Sequence, residues 1–86
     1  AIQLDPDFAT GYLGRGEAYF ALCNHHRAIQ DFCKFIQIEH NYADAYNNRG
    51  IAYGELGQHR DAIADYTKAI RIDPDFALAY YNRGNT

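Results

Sequence analysis

The feature that most constrains this chain is a period of 34 residues that runs through it without a gap. Displaced by that interval, Ala1–Phe8 (AIQLDPDF) falls on Phe35–Tyr42 (FIQIEHNY) and then on Ala69–Phe76 (AIRIDPDF). In the same way Ala9–Tyr19 (ATGYLGRGEAY) falls on Ala43–Tyr53 (ADAYNNRGIAY) and on Ala77–Thr86 (ALAYYNRGNT). A fixed period of roughly 20 to 50 residues marks a solenoid, in which each unit buries its faces against its neighbours. A single compact core would be marginal in 86 residues, and a solenoid relaxes that limit.

The period divides the chain into the end of one unit (1–8), two full units (9–42 and 43–76) and the start of another (77–86). Methionine is absent and the chain begins and ends inside units, so it reads as a piece of a longer repeat protein.

Each unit reads as two helices. Asp5-Pro6-Asp7 stops a helix ending near Leu4, because proline restricts the residue before it and cannot continue the hydrogen-bond ladder. Asp7, Asn41 and Asp75 then stand where N-caps are expected. The first helices run over about Ala9–Leu22, about Ala43–Leu56 and from Ala77 onward, the second over about His26–Ile38 and His59–Ile72. Tyr12, Gly16 and Tyr19 recur as Tyr46, Gly50 and Tyr53, a stripe that faces a partner helix. Glycine inside a helix costs about 0.5–1 kcal/mol relative to alanine. Its recurrence at Gly16, Gly50 and Gly84 therefore predicts close approach by a second helix, which answers with Ala28 or Ala62. That helix then presents Ile29, Phe32 and Ile36, or Ile63, Tyr66 and Ile70.

The first full unit departs from the pattern. Gly57 suits a left-handed turn, and its counterpart is Cys23, which predicts a looser or re-registered turn there. His40 replaces a proline, and Phe35 replaces an alanine and should swell its junction.

Tyr46, Gly50, Tyr53, Ala62, Tyr66 and Pro74, with Ala69, resemble the tetratricopeptide repeat family in its Asn-Arg-Gly form. Arg15, Arg49 and Arg83 take the place of that family's leucine before the glycine. The Sel1-like class has similar helices, but its period is longer. The resemblance covers the whole chain and implies an all-α fold, a right-handed solenoid of antiparallel helix pairs. It also implies a concave groove, lined by the first helices, that receives an extended peptide or a partner's helix. The groove sites it implies are Thr10, Leu13, Gly14, Glu17 and Phe20; Asp44, Asn47, Asn48, Ile51 and Glu55; and Leu78, Tyr81, Asn82 and Asn85. Some members grip a peptide's terminal carboxylate with lysines and an arginine; the matching sites here carry Leu13, Glu17 and Asn47, so that clamp is absent.

Asparagine is a mediocre helix former, yet Asn48 and Asn82 share one position, with Asn47 and Asn85 beside them. Amides both donate and accept, so such a row can bond a peptide backbone, or it can be plain polar surface. Arg15, Arg49 and Arg83 fall on the nominally buried side of the first helix, and Asp31 and Asp65 recur on the second. Buried guanidinium groups need partners. The pairing is either between units (Asp31 with Arg49, Asp65 with Arg83) or within them (Arg15 with Asp31, Arg49 with Asp65).

The remaining chemistry is sparse. Cys23-Asn24-His25-His26 has the residue types of a transition-metal site, but three or four convergent ligands are needed and no adjacent acidic cluster or further cysteine supplies them. The expectation is a polar turn, with no metal and no cofactor. Serine is absent, the glycines sit in helices, and Cys33 reads as core or interface, so no catalytic residue is assigned. The net charge of −3 and pI near 5.7 provide no basic field for nucleic acid or anionic membrane. No apolar run is long enough to span a bilayer, no leader pattern is seen, and two cysteines do not make a disulfide framework, a pattern consistent with a reducing compartment.

The leading expectation is a non-catalytic scaffold for a protein or peptide partner. The second is head-to-tail self-association, with Ile2, Leu4 and Phe8 at one end docking against Tyr80, Tyr81 and the Gly84 groove of another copy.

Overall fold

The computed structural model describes the backbone of residues 6–85 and the side chains of residues 9–85. These residues form five helices: α1 (Pro6–Ala21), α2 (His25–Ile38), α3 (Ala43–Glu55), α4 (His59–Ile72) and α5 (Ala77–Gly84). The helix expected to end at Leu4 and the apolar face of Ile2, Leu4 and Phe8 lie outside the described residues. Short connections turn each helix back on its predecessor, so α1 packs on α2, α2 on α3, α3 on α4 and α4 on α5. The result is an all-α array of helix pairs, with matching elements starting 34 residues apart at His25 and His59 and at Ala43 and Ala77.

The helices approach closely because small side chains stand at their contacts. Ala28, Ala45, Ala52, Ala62, Ala69 and Ala79 are all fully buried, and so is the large side chain of Phe32. Burying a phenylalanine of this kind stabilises by about 2–3 kcal/mol. A Cβ on Gly16 would lie 2.8 Å from the Phe32 ring, and one on Gly50 would lie 2.7 Å from the Tyr66 ring. The repeated glycine therefore makes room for an aromatic ring, not for the alanine expected to answer it. Ala62 instead lies under Gly54, at 3.9 Å from where a Cβ would stand. The face of α4 also differs from expectation at Ile63, which is 39% exposed.

The turn after α1 is neither looser nor re-registered. Asn24 N–H donates to the Tyr19 carbonyl at 2.9 Å and Cys23 N–H to that of Phe20 at 3.0 Å. Gln58 to Tyr53 and Gly57 to Gly54 repeat both bonds at the same lengths. This is the paired closure that satisfies orphan carbonyls at a helix end. Its left-handed residue is Gly57 (φ 80°) in one unit and Cys23 (φ 61°) in the other, so the cysteine bears the strain and the register stays.

The helix starts are also corrected. α1 begins at Pro6, whose missing N–H costs nothing in a first turn, so Asp7 lies inside the helix instead of capping it. The caps of α3 and α5 are Tyr42 and Phe76, without side-chain bonds, in place of Asn41 and Asp75. Before α5 it is Asp73 Oδ1 that organises the turn, accepting from Asp75 N–H at 3.1 Å. Where the first unit lacks its proline, His40 Nδ1 donates to the Ile36 carbonyl at 3.3 Å. That bond helps to close α2 at the position equivalent to the end of α4. Phe35 is accommodated within the core (4% exposed), its ring edge-on to Tyr42 at 5.2 Å.

Candidate functional site

Two recurrent ion pairs brace the first helices, and both form within a unit. Arg15 donates to both carboxylate oxygens of Asp31 at 2.8 and 2.7 Å, and Arg49 does the same to Asp65 at 2.8 and 2.7 Å. Their surroundings differ. The Arg15 side chain is 61% exposed, against the expectation of a buried position, whereas that of Arg49 is 19% exposed. Arg49 lies between the Tyr46 and Tyr53 rings, and its third nitrogen donates to Cys33 Sγ of α2 at 3.3 Å. One guanidinium thus joins α2, α3 and α4. The hydrogen bonds to Asp65 raise the Arg49 pKa far above its ordinary value. Burial pushes the Asp65 carboxyl up, and Arg49 pulls it back only in part. Arg83 has no carboxylate partner among the described residues; its guanidinium lies over the Tyr80 ring at 5.4 Å.

The asparagine row is divided by depth. Asn47 is 2% exposed, and its Oδ1 accepts from Asn82 Nδ2 at 3.1 Å. It is an interior bridge between α3 and α5, which corrects its placement on the groove surface. Asn48 and Asn82 are half-buried and Asn85 is exposed. The counterpart of Asn47 one unit earlier is Leu13, so the same amide bridge cannot form between α1 and α3.

A hollow of about 280 Å³ opens between α3, α4 and α5. It brings together Ile51, Glu55, Asn82 and Asn85, all expected in the groove, with Gly54, His59 and Tyr66, which were not. The α4 residues escaped notice because the helical period places them on a second helix, and only packing carries their side chains to the first helices' edge. Leu13 lies elsewhere, in a wider depression of about 740 Å³ with Ala9, Thr10, Phe35, Ile38, Glu39 and Tyr42. Glu17, Asp44, Asn48 and Tyr81 border neither, and Glu17, Asp44 and Tyr81 are exposed. Glu17, Asp44 and Glu55 are exposed carboxylates on these helices, while the two lysines, Lys34 and Lys68, stand on α2 and α4.

The residues around Cys23 do not converge. Cys23 is exposed, Asn24 Oδ1 accepts from Arg27 N–H at the start of α2, and the His25 ring packs edge-on against Phe20 at 5.8 Å. Among the described residues no group of three or more His, Cys, Asp or Glu is placed to hold a metal ion. Cys33 lies at the α2–α3 contact, held by Arg49. No helix among the described residues is long and apolar enough to cross a membrane.

Comparison with known proteins agrees with this geometry. Residues 43–76 match the family model described as Tetratricopeptide repeat. The chain is similar to a crystal structure of MamA, with a TM-score of 0.87 and 36% identity over 90% of this chain and 45% of that one. It is similar to the Arabidopsis OM64 TPR domain, with a TM-score of 0.86 and 32% identity over 90% of this chain and 64% of that one. It is also similar to the first TPR of Spaghetti (RPAP3), solved bound to the HSP90 peptide SRMEEVD, with a TM-score of 0.89 and 25% identity over 99% and 68%. The chain thus spans less than two thirds of the length of the MamA and OM64 structures. No curated protein matches its sequence.

Proposed function

We propose that this chain, which carries a tetratricopeptide repeat at residues 43–76 and folds as tetratricopeptide-repeat domains do, is a non-catalytic scaffold that holds a peptide of a partner protein along its first helices. The observation that carries the reading is the hollow between α3 and α5, where Ile51, Glu55, Asn82 and Asn85 meet. It offers an apolar wall, a carboxylate and amides that can bond a backbone, which is the composition of a small recognition site. The Spaghetti domain was solved with an acidic peptide, SRMEEVD. Here the first helices carry Glu17, Asp44 and Glu55 and no lysine, while Arg15 and Arg49 are paired with Asp31 and Asp65 and Arg83 lies over Tyr80, so charge complementarity favours a neutral or basic peptide.

The test is selection of binders from a displayed random heptapeptide library on the 86-residue chain, followed by scoring of the selected peptides against Ile51→Lys and Glu55→Lys. Loss of binding in both variants, with helical content unchanged, is the expected result. Selected peptides that bind both variants like the parent chain overturn the groove reading.

Exposure on α5 supports a second reading, head-to-tail association. Leu78, Tyr80 and Tyr81 are 52%, 45% and 67% exposed, and nothing lies within 4 Å of where a Cβ on Gly84 would stand. Its test is light scattering against concentration: mass that rises with concentration and falls back in Tyr81→Ser supports it, and constant monomer mass excludes it.

A further inference from the structure

Gly54 and His59, which line the hollow, stand one period after two residues whose rings are in contact. Phe20 stands 34 residues before Gly54 and His25 stands 34 before His59. In the first unit the Phe20 ring lies edge-on against the His25 ring, with centroids 5.8 Å apart and planes at 67°. In the second unit His59 is present, but Gly54 supplies no ring, and the space between them is open. Gly54 is not demanded by backbone geometry or by crowding. It lies within α3 without a positive φ, and a Cβ at this position would find Ala62 Cβ as its nearest neighbour at 3.9 Å, an ordinary contact. A glycine in the last turn of α3 that relieves no clash leaves space beside His59.

We infer that this hollow receives an aromatic side chain of a bound peptide, seated against His59 as Phe20 is seated against His25. The inference rests on the groove reading above and specifies the anchor. Edge-to-face contact between rings adds to the gain from burying the anchor's apolar area. Glu55 on the rim favours a lysine or arginine beside the aromatic residue, and the absence of lysine from the first helices disfavours an acidic one.

The experiment uses two peptides, Gly-Ser-Lys-Phe-Lys-Ser-Gly and the same peptide with alanine for phenylalanine. Each is titrated into the isotope-labelled 86-residue chain while backbone amide shifts are followed. The phenylalanine peptide is expected to bind about tenfold more tightly, with the largest shifts at Gly54 and His59. The variant Gly54→Phe fills the hollow with the chain's own ring; it should keep its helical content and lose that tenfold advantage. The reciprocal variant Phe20→Ala opens the equivalent space and should add shifts at His25. Equal binding of both peptides, undiminished in Gly54→Phe, overturns the aromatic anchor and leaves the groove reading standing. Shifts centred away from Gly54 and His59, or no binding by either peptide at millimolar concentration, overturn the anchor as well. Concentration-dependent shifts at these residues without peptide assign the hollow to a second copy, which also overturns it.

Discussion

Asn82 Nδ2 donates to Asn47 Oδ1 at 3.1 Å, across the boundary between two repeat units, and the accepting side chain is 2% exposed. The bond links α3 to α5 through groups that the sequence places on what should be a surface. It also separates two asparagines that occupy one repeat position. Asn82 is bonded to the interior Asn47, and Asn48, its counterpart, has Leu13 where Asn82 has Asn47.

Removing the donor leaves a buried carbonyl oxygen without its partner. Asn82→Ala should therefore cost about 1–3 kcal/mol in urea unfolding, and Asn48→Ala should fall within about 0.5 kcal/mol of the parent chain. Equal losses at the two sites would contradict the assignment. A binding defect in Asn82→Ala must accordingly be separated from its loss of stability.

The two arginine–aspartate pairs have the same geometry and different environments. Arg49→Ala leaves Asp65 buried and unpaired and should cost about 3 kcal/mol. Arg15→Ala likewise leaves a buried carboxylate, Asp31, but the arginine removed is largely in water, so its loss should be smaller and weaken further with salt. Chemical denaturation of both variants at low and high ionic strength decides. A greater loss at Arg15 than at Arg49 runs against the structure.

The repeated glycine should respond differently at its different occurrences. Gly50→Ala drives a methyl into the Tyr66 ring and should destabilise by about 1–3 kcal/mol. Gly84→Ala meets nothing within 4 Å and should be neutral or favourable by up to about 1 kcal/mol through helix propensity. Thermal unfolding of the two single variants measures the contrast, and similar destabilisation by both would refute it.

Cys23 holds a left-handed conformation that an L side chain adopts at a cost of about 1–2 kcal/mol. Cys23→Gly should relieve most of that, less the extra chain entropy that glycine loses on folding, for a net gain of about 0.5–1 kcal/mol. A midpoint of unfolding that falls in this variant contradicts the strain argument.

The first full unit should be the less stable of the two. It carries the strained Cys23 turn, and the arginine of its Arg15–Asp31 pair is open to water. Segment-resolved hydrogen exchange should show faster exchange in residues 23–38 than in residues 57–72. The reverse order would be incompatible with this ranking.

Much of this architecture was legible in the chain because the 34-residue period encodes contacts that every unit repeats. Helix positions, the need for glycine at Gly16 and Gly50, and the recurrence of arginine and aspartate all follow from local pattern. The partner of each arginine did not. Asp31 and Asp65 were each plausible for Arg49, and the choice turned on which carboxylate the packed second helix brought to 2.7 Å. The depth of Asn47, the exposure of Arg15 and the hollow beside Gly54 were equally out of reach. Residues one period apart share a helix position, but their environments depend on what the flanking helices put against them. Those neighbours lie 16 to 35 residues away in the bonds seen here. Periodicity specifies the frame, and side-chain volume at a few non-repeating positions, such as Phe20 against Gly54 and Leu13 against Asn47, decides where the frame is closed and where it is left open.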